Sequence, residues 1–525
     1  MGGLPRPHGA GKQSLAHTGP KPARNTESMP ASLLRQPTPR TPPASLAGFE
    51  RALRCQAGNQ KLEAAREYLQ ALRLHPGFFE AAFNLGVLFQ EMGQPDQAIG
   101  CYRHALQWKP DLAPAWGNLG VALRDTDHGQ EAVDSFRQAL RVQPGESGVL
   151  NNLGNALLAQ QEYAEAIACF RDGLRAAPAN PGIHLNLGNA LRASGHVAEA
   201  IQSLRQALEL RPDFAEAHWD LAFALLLQGD FTQGFQEYEW RWRLPDFPRR
   251  RFASPLWLGE DVAGRTLLVH TEQGAGDNLQ FVRFVGALAE RGARVWLECQ
   301  PSLAALFESA PGAPRIIPRG YSLPEVDWHL PLLSLPQRLG ITSDTIPART
   351  PYLQPPANRR LVLPRPRDPQ DAHLKVGLVW RGNPQHPNDR QRSIPLTSLT
   401  PLFGVPGVAL YNLQVAPTPQ FAGEANSQPA LIPFDGLLRD FADTASVVAQ
   451  LDLVISADTS TAHLAGALGR PAWVLLPFAP DWRWLLERED TPWYPTLRLF
   501  RQSAPGDWSA VIQRVHDALL GWPAS

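Results

Sequence analysis

From about residue 45 to residue 248 the apolar positions fall at helical spacing and the whole pattern repeats. Leu-Gly pairs stand at Leu85-Gly86, Leu119-Gly120, Leu153-Gly154 and Leu187-Gly188, and Leu221-Ala222 closes the series. Each step is 34 residues. Alanines keep the same register (Ala64, Ala98, Ala132, Ala166, Ala200), and so do prolines (Pro76, Pro110, Pro144, Pro178, Pro212). Small residues let two helices approach closely, large ones fill the spaces between units, and proline stops the second helix.

One unit carries a complete signature: Trp116-x2-Leu119-Gly120-x2-Leu123, then Ala132-x3-Phe136, then Pro144. This is the tetratricopeptide pattern of two helices per repeat. Six units are expected over 45–248, the first degenerate in its opening helix and the last drifting at Gly234 and Arg241. The residue before each repeated leucine is Asn84, Asn118, Asn152, Asn186 and then Asp220. Asparagine is a mediocre helix former, so a conserved register asks for a reason. On a concave groove these groups would serve an extended peptide backbone with donors and acceptors. Bonding between repeats, or simple inheritance from one duplicated unit, explains the register equally well.

The period ends near residue 249. A short apolar run, Thr266–His270, precedes the glycine-rich Gln273-Gly274-Ala275-Gly276-Asp277. An amphipathic stretch and the strand-like Arg294–Cys299 complete a β-α-β unit. The proline-rich segment 347–369 reads as a linker. A second block begins at Lys375-Val376-Gly377-Leu378-Val379-Trp380, with further strand candidates near 408–413 and 430–433. Its clearest unit is the run Leu451–Ser456, a polar turn Ala457–Ser460, a helix from Thr461 to Leu468 and the strand Ala472–Leu476. The expected fold class is therefore an all-α tetratricopeptide superhelix followed by an α/β region of two lobes, 249–360 and 361–525. Its site would lie at the C-terminal ends of the strands.

Composition adds three constraints. The formal net charge of −1 over 525 residues excludes a generally basic nucleic-acid binder. Only five of the 49 basic residues are lysine (Lys12, Lys21, Lys61, Lys109, Lys375), so 49 − 5 leaves 44 arginines, and bound anions fall to arginine. Residues 1–44 are rich in Pro, Ser, Thr and Arg and read as a disordered tail. The four cysteines show no metal-ligand spacing. No apolar run approaches a membrane span and no secretory signal is recognisable, so a cytoplasmic protein is expected.

Three stretches carry chemistry. Gly276-Asp277 follows the first strand, with His270, Glu272 and Gln273 crowding the strand end; Asp277 reads as a site carboxylate or an N-cap. Asp458-Thr459-Ser460-Thr461-Ala462-His463 joins a strand to a helix, where free N–H groups and hydroxyls suit a diphosphate. Helix capping by Asp458 or Ser460, with His463 a core residue, stays open. Arg381, Arg390 and Arg392 lie in a Gly/Asn/Pro loop after the second block's first strand and can clamp phosphate oxygens. Trp482 and Arg483 follow a later strand, where tryptophan stacks on a base or sugar or packs the C-terminal segment.

Together these stretches give a resemblance. Residues 265–515 resemble the heptosyltransferase family of glycosyltransferases (the ADP-heptose:lipopolysaccharide heptosyltransferase superfamily) and the tetratricopeptide proteins that carry such a domain. The resemblance rests on Gly276-Asp277, on Val376–Asn383, on Asp458-Thr459-x3-His463-Leu464-Ala465 with Gly469-x-Pro471, and on Asp481–Trp484 and Trp493–Pro495. It implies a GT-B fold of two Rossmann-like lobes, an NDP-sugar donor held mainly by the second lobe, and no required metal or other cofactor. It also implies that Asp277 is the base for inverting transfer and that Asp458, Thr459 and His463 contact the donor. The lysine often used near the diphosphate in that family has no match, because Lys375 precedes its strand. The expectation is a glycosyltransferase whose repeats recruit a protein acceptor or partner. The alternative is an inactive adaptor that only binds a partner or nucleotide.

Overall fold

The computed structural model describes residues 41–366, 373–386, 388–415, 428–434 and 436–522. The expected tail lies almost wholly outside the described residues, and its last two positions, Pro43 and Ala44, open the first helix. The chain divides into two compact units whose boundary falls between Asp220 and Leu221.

Helices pair off along the chain: α1 (Pro43–Ala57) with α2 (Lys61–Leu74), α3 (Phe79–Glu91) with α4 (Pro95–Trp108), and α5 (Ala113–Asp125) with α6 (Gly129–Val142). They continue as α7 (Ser147–Ala159) with α8 (Tyr163–Ala176), α9 (Pro181–Ala193) with α10 (Val197–Leu210), and α11 (Ala215–Gln228) with α12 (Phe231–Tyr238). The repeated glycine is what brings each pair together. A Cβ on Gly86, Gly120, Gly154 or Gly188 would stand 2.6 Å from Tyr102, Phe136, Phe170 or Leu204 of the partner helix. The large side chain thus fills the hollow left by the missing methyl. Surface ladders repeat in the same register: Arg103–Glu131 at 2.6 Å, Arg137–Glu165 at 2.8 Å and Arg171–Glu199 at 2.9 Å. Being exposed, they contribute little individually. The last pair reverses the device: Gly234 sits on the second helix and receives Leu226 from the first, with a built Cβ again at 2.6 Å.

The α/β region contains two sheets, every strand of each parallel to its neighbours. The first has the order β3-β2-β1-β4, from β1 (Thr266–His270), β2 (Arg294–Cys299), β3 (Arg315–Pro318) and β4 (Trp328–Pro331). The second has the order β10-β9-β8-β5-β6-β7, from β5 (Leu374–Val379), β6 (Val408–Asn412), β7 (Leu431–Ile432), β8 (Leu453–Ala457), β9 (Ala472–Leu476) and β10 (Leu497–Arg501). The runs β8 and β9 are buried at every position, as central parallel strands with both faces covered must be.

In each sheet the chain winds outwards from its first strand and then returns to that strand's other side. The switch points lie between β1 and β4 and between β5 and β8. Ligands of open α/β sheets bind beside such points, at the strands' carboxyl ends. The proline-rich segment is packed rather than loose over its described residues. Leu353 is fully buried, and the Tyr352 N–H donates to Ala467 O at 2.9 Å.

Candidate functional site

Both switch points end in the polar turns that the sequence singled out. β1 runs into Gln273, held at φ 59°, and then into helix α13 (Ala275–Phe281). Asp277 occupies the first turn of α13, where its Oδ2 accepts the Gly274 N–H at 3.0 Å. β8 runs into Asp458 and Thr459 and then the helix Ser460–Ala467. Thr459 is the cap: its Oγ1 accepts the Thr461 N–H at 3.3 Å and bonds Ser456 Oγ at 3.0 Å. Neither Asp458 nor Ser460 holds the cap position.

The two helices pack directly on each other. A Cβ on Gly276 would lie 3.0 Å from His463 Cδ2 and 3.4 Å from Ser460 Cα, so a side chain there would force them apart. His463 is buried, bonds Tyr494 Oη through Nδ1 at 3.0 Å and stacks on Trp484 at 5.3 Å. Burial, followed by the nearby Arg483 charge, pulls its pKa down to about 3, so its ring is neutral at physiological pH. Burial and then the Asp481 charge push Asp458 up to about 6, against the pull of Arg392.

Arg483 joins the two turns. Its guanidinium pairs with Asp277 Oδ1, donates to Asp481 Oδ1 at 2.8 Å and to Gln280 Oε1 at 2.6 Å, and its side chain is 8% exposed. Burial disfavours its charge, but Asp481 and Asp277 outweigh that and hold its pKa above the ordinary arginine value. Leu485, just beyond, is a non-glycine residue at φ 54°, a backbone geometry that costs energy and is found where the surroundings enforce it.

The loop after β5 brings Arg392 alongside, its Nη1 donating to Asp458 O at 3.2 Å and its Nε 3.5 Å from Asp389 Oδ1. Arg381 lies at the same strand end, where its N–H donates to Gln414 Oε1 at 2.9 Å, and Arg390 is exposed on the loop. Among the described residues no cluster of three or more His, Cys, Asp or Glu is arranged to hold a metal ion.

Trp482, Gln273 and His270, which the sequence set beside the candidate turns, each have protein partners of their own. Trp482 is buried edge-on against Phe231, Phe235 and Trp493, so its ring serves packing. Gln273 accepts a hydrogen bond from Tyr238 Oη at 2.8 Å. His270 leaves the site altogether, bonding His329 at 3.3 Å with Phe252 stacked on both rings. The sequence reading also missed the role of Arg241. Wholly buried, it bonds Glu239 at 2.6 Å, Glu272 at 2.8 Å and Ser334 Oγ at 2.8 Å. Its departure from the repeat pattern was the available signal.

In the helical array, Asn84, Asn118, Asn152, Asn186 and Asp220 are all buried. Some bond between repeats: Asn186 Nδ2 donates to Asn151 Oδ1 at 2.8 Å, and Asn189 Nδ2 to Asp220 Oδ2 at 2.7 Å. Asn84 and Asn118 lie at the hydroxyls of Tyr68 and Tyr102 of the preceding repeat. The Oδ1 atoms of Asn152, Asn155, Asn186, Asn189 and Asp220 carry no hydrogen-bond donor from the described residues. No described helix is long and apolar enough to cross a membrane.

Known proteins match the helical part by family. Tetratricopeptide-repeat family models match residues 67–100, 118–181 and 188–229. Protein FlbA of Caulobacter vibrioides is 29% identical over 320 residues, which cover 56% of this chain and 53% of FlbA. The chain thus spans about half the length of this curated relative. PilF of Pseudomonas aeruginosa is 22% identical over 38% of this chain and 92% of that one, with a TM-score of 0.34. YrrB, described as a TPR protein with an unusual peptide-binding site, is 17% identical over 34% and 92%, with a TM-score of 0.31. Residues 67–229 therefore carry tetratricopeptide repeats, and a separate α/β region with two parallel sheets follows them.

Proposed function

We propose that the protein is a glycosyltransferase of GT-B type that moves a sugar from an NDP-sugar to an acceptor hydroxyl, with the repeats recruiting a protein acceptor or partner. One observation carries this reading. The turns bearing Asp277 and Asp458-Thr459-Ser460 leave their sheets at the two switch points and are packed together through Gly276 and His463. In this reading the N–H groups opening the helix Ser460–Ala467, with Arg392 and Arg381, hold the diphosphate. Asp277 takes the proton as the acceptor oxygen bonds the sugar's anomeric carbon, and the carbon–oxygen bond to the diphosphate breaks. The leaving charge is met by arginine, which this lysine-poor chain supplies at that position. The tetratricopeptide repeats within residues 67–229 support the recruitment of a protein or peptide partner.

A second reading, an adaptor without catalysis, is favoured by the Asp277–Arg483 pair, which occupies the candidate base. Thermal shift and calorimetry with UDP, GDP, CDP and ADP test donor binding. At least one nucleotide is expected to stabilise the protein, and no stabilisation at millimolar concentration removes the donor site. Conversion of an acceptor by wild type and not by Asp277→Ala separates transferase from adaptor.

A further inference from the structure

The candidate site has a charge problem. Asp277, Asp389, Asp458 and Asp481 gather around Arg483 and Arg392, four carboxylates against two guanidiniums. A diphosphate adds further negative charge and is held more tightly if a buried arginine joins Arg381 and Arg392 on it. Arg392 keeps Nη1 on Asp458 O and Nε near Asp389. All three Arg483 nitrogens are engaged, two of them on carboxylates, Asp277 of α13 and Asp481 of its own turn. Asp277 has a matching problem, because a carboxylate held by a guanidinium is a poor proton acceptor.

We propose that Arg483 is an exchangeable clamp, which holds Asp277 in the empty protein and passes to the donor diphosphate when it binds, so that donor binding frees the base. The idea rests on the transferase reading. A single movement resolves both difficulties: the diphosphate gains a buried guanidinium, and Asp277 Oδ1 is vacated for the acceptor hydroxyl. The acceptor proton then goes to Asp277, the acceptor oxygen bonds the anomeric carbon, and the electron pair of the broken carbon–oxygen bond leaves on the nucleoside diphosphate beside Arg483. An acceptor arriving before the donor meets a carboxylate still engaged, so donor binds first.

The test is calorimetric titration of the full chain with UDP, GDP, CDP and ADP. Removing a competing carboxylate without removing the clamp should tighten nucleotide binding. Asp277→Asn is therefore expected to bind the preferred nucleotide about tenfold more tightly than wild type, the low end of coupling for close charge pairs. Asp481→Asn, which retains a capping oxygen for the Arg483 N–H, should shift affinity the same way and decides the matter should Asp277→Asn not fold. Arg483→Gln should bind at least about tenfold more weakly. Binding by wild type that neither Asn variant improves overturns the clamp and leaves the donor site standing. Binding by none of the proteins overturns the transferase reading, and the clamp with it.

Discussion

The helical array and the α/β region place polar groups inside the protein by opposite means. The array uses one device many times: a glycine on the first helix facing a large residue on the second, and an amide in one register, some of its copies bonding across the seam. The α/β region uses single copies. Among the described residues Arg241 is the one guanidinium paired with both Glu239 and Glu272, and Arg483 the one paired with both Asp277 and Asp481. Repetition spreads the effect of a change over neighbouring units, whereas a single-copy network fails at once. The difference also separates the roles expected of each region, an extended recognition surface and a localised site.

The comparison predicts a descending order of effects. Arg241→Met takes a wholly buried guanidinium from Glu239 and Glu272, both largely shielded from solvent, and should destabilise the α/β region by about 3–5 kcal/mol in denaturant titration. A loss under 1 kcal/mol would place it among the redundant contacts. Gly154→Ala gains roughly 1 kcal/mol of helix propensity but forces a methyl against Phe170, at an overpacking cost of about 1–3 kcal/mol. A net loss of up to about 2 kcal/mol is expected, read as a lowered melting temperature. Arg392→Gln should weaken nucleotide binding about tenfold by calorimetry, since it removes one charge from the turn after β5.

The smallest effect concerns Asp220, the one acid in the asparagine register. Burial raises its pKa to about 6 from an unfolded value near 3.8, against the opposing pull of Arg192. The folded chain therefore holds the proton more tightly. This contribution is fully present below about pH 3.8 and is lost as pH rises through about 6. Asp220→Asn should remove that dependence and stabilise the array by about 1 kcal/mol at pH 7. Parallel melting curves for variant and wild type between pH 4 and 7 would refute this.

Legibility in the sequence followed the range of the contacts. The six helix pairs could be read because each unit repeats its own contact pattern, and Gly120 meets Phe136 only sixteen residues on. The turns at Asp277 and Asp458 were visible because a buried strand running into polar residues and then a helix is a local pattern. The pairing of Arg483 with Asp277 was not, because the two stand 206 residues apart and neither has a local partner that announces the other. Trp482 illustrates the same limit. A tryptophan near a strand end looks alike whether it faces a ligand or the rings of Trp493 and a distant helix. The asparagine register was plain, but its burial depended on how closely successive repeats stack.

The central claim is that the paired turns form a donor site at which Asp277 accepts the proton. Incubating wild type and Asp277→Ala with a panel of UDP-, GDP-, CDP- and ADP-sugars, and following sugar transfer or hydrolysis by mass spectrometry, tests it most directly. The account predicts that wild type consumes at least one donor and that Asp277→Ala is slower by about 10²–10⁴-fold while circular dichroism still shows a folded chain. Consumption of no donor by wild type, or equal consumption by both proteins, would contradict it.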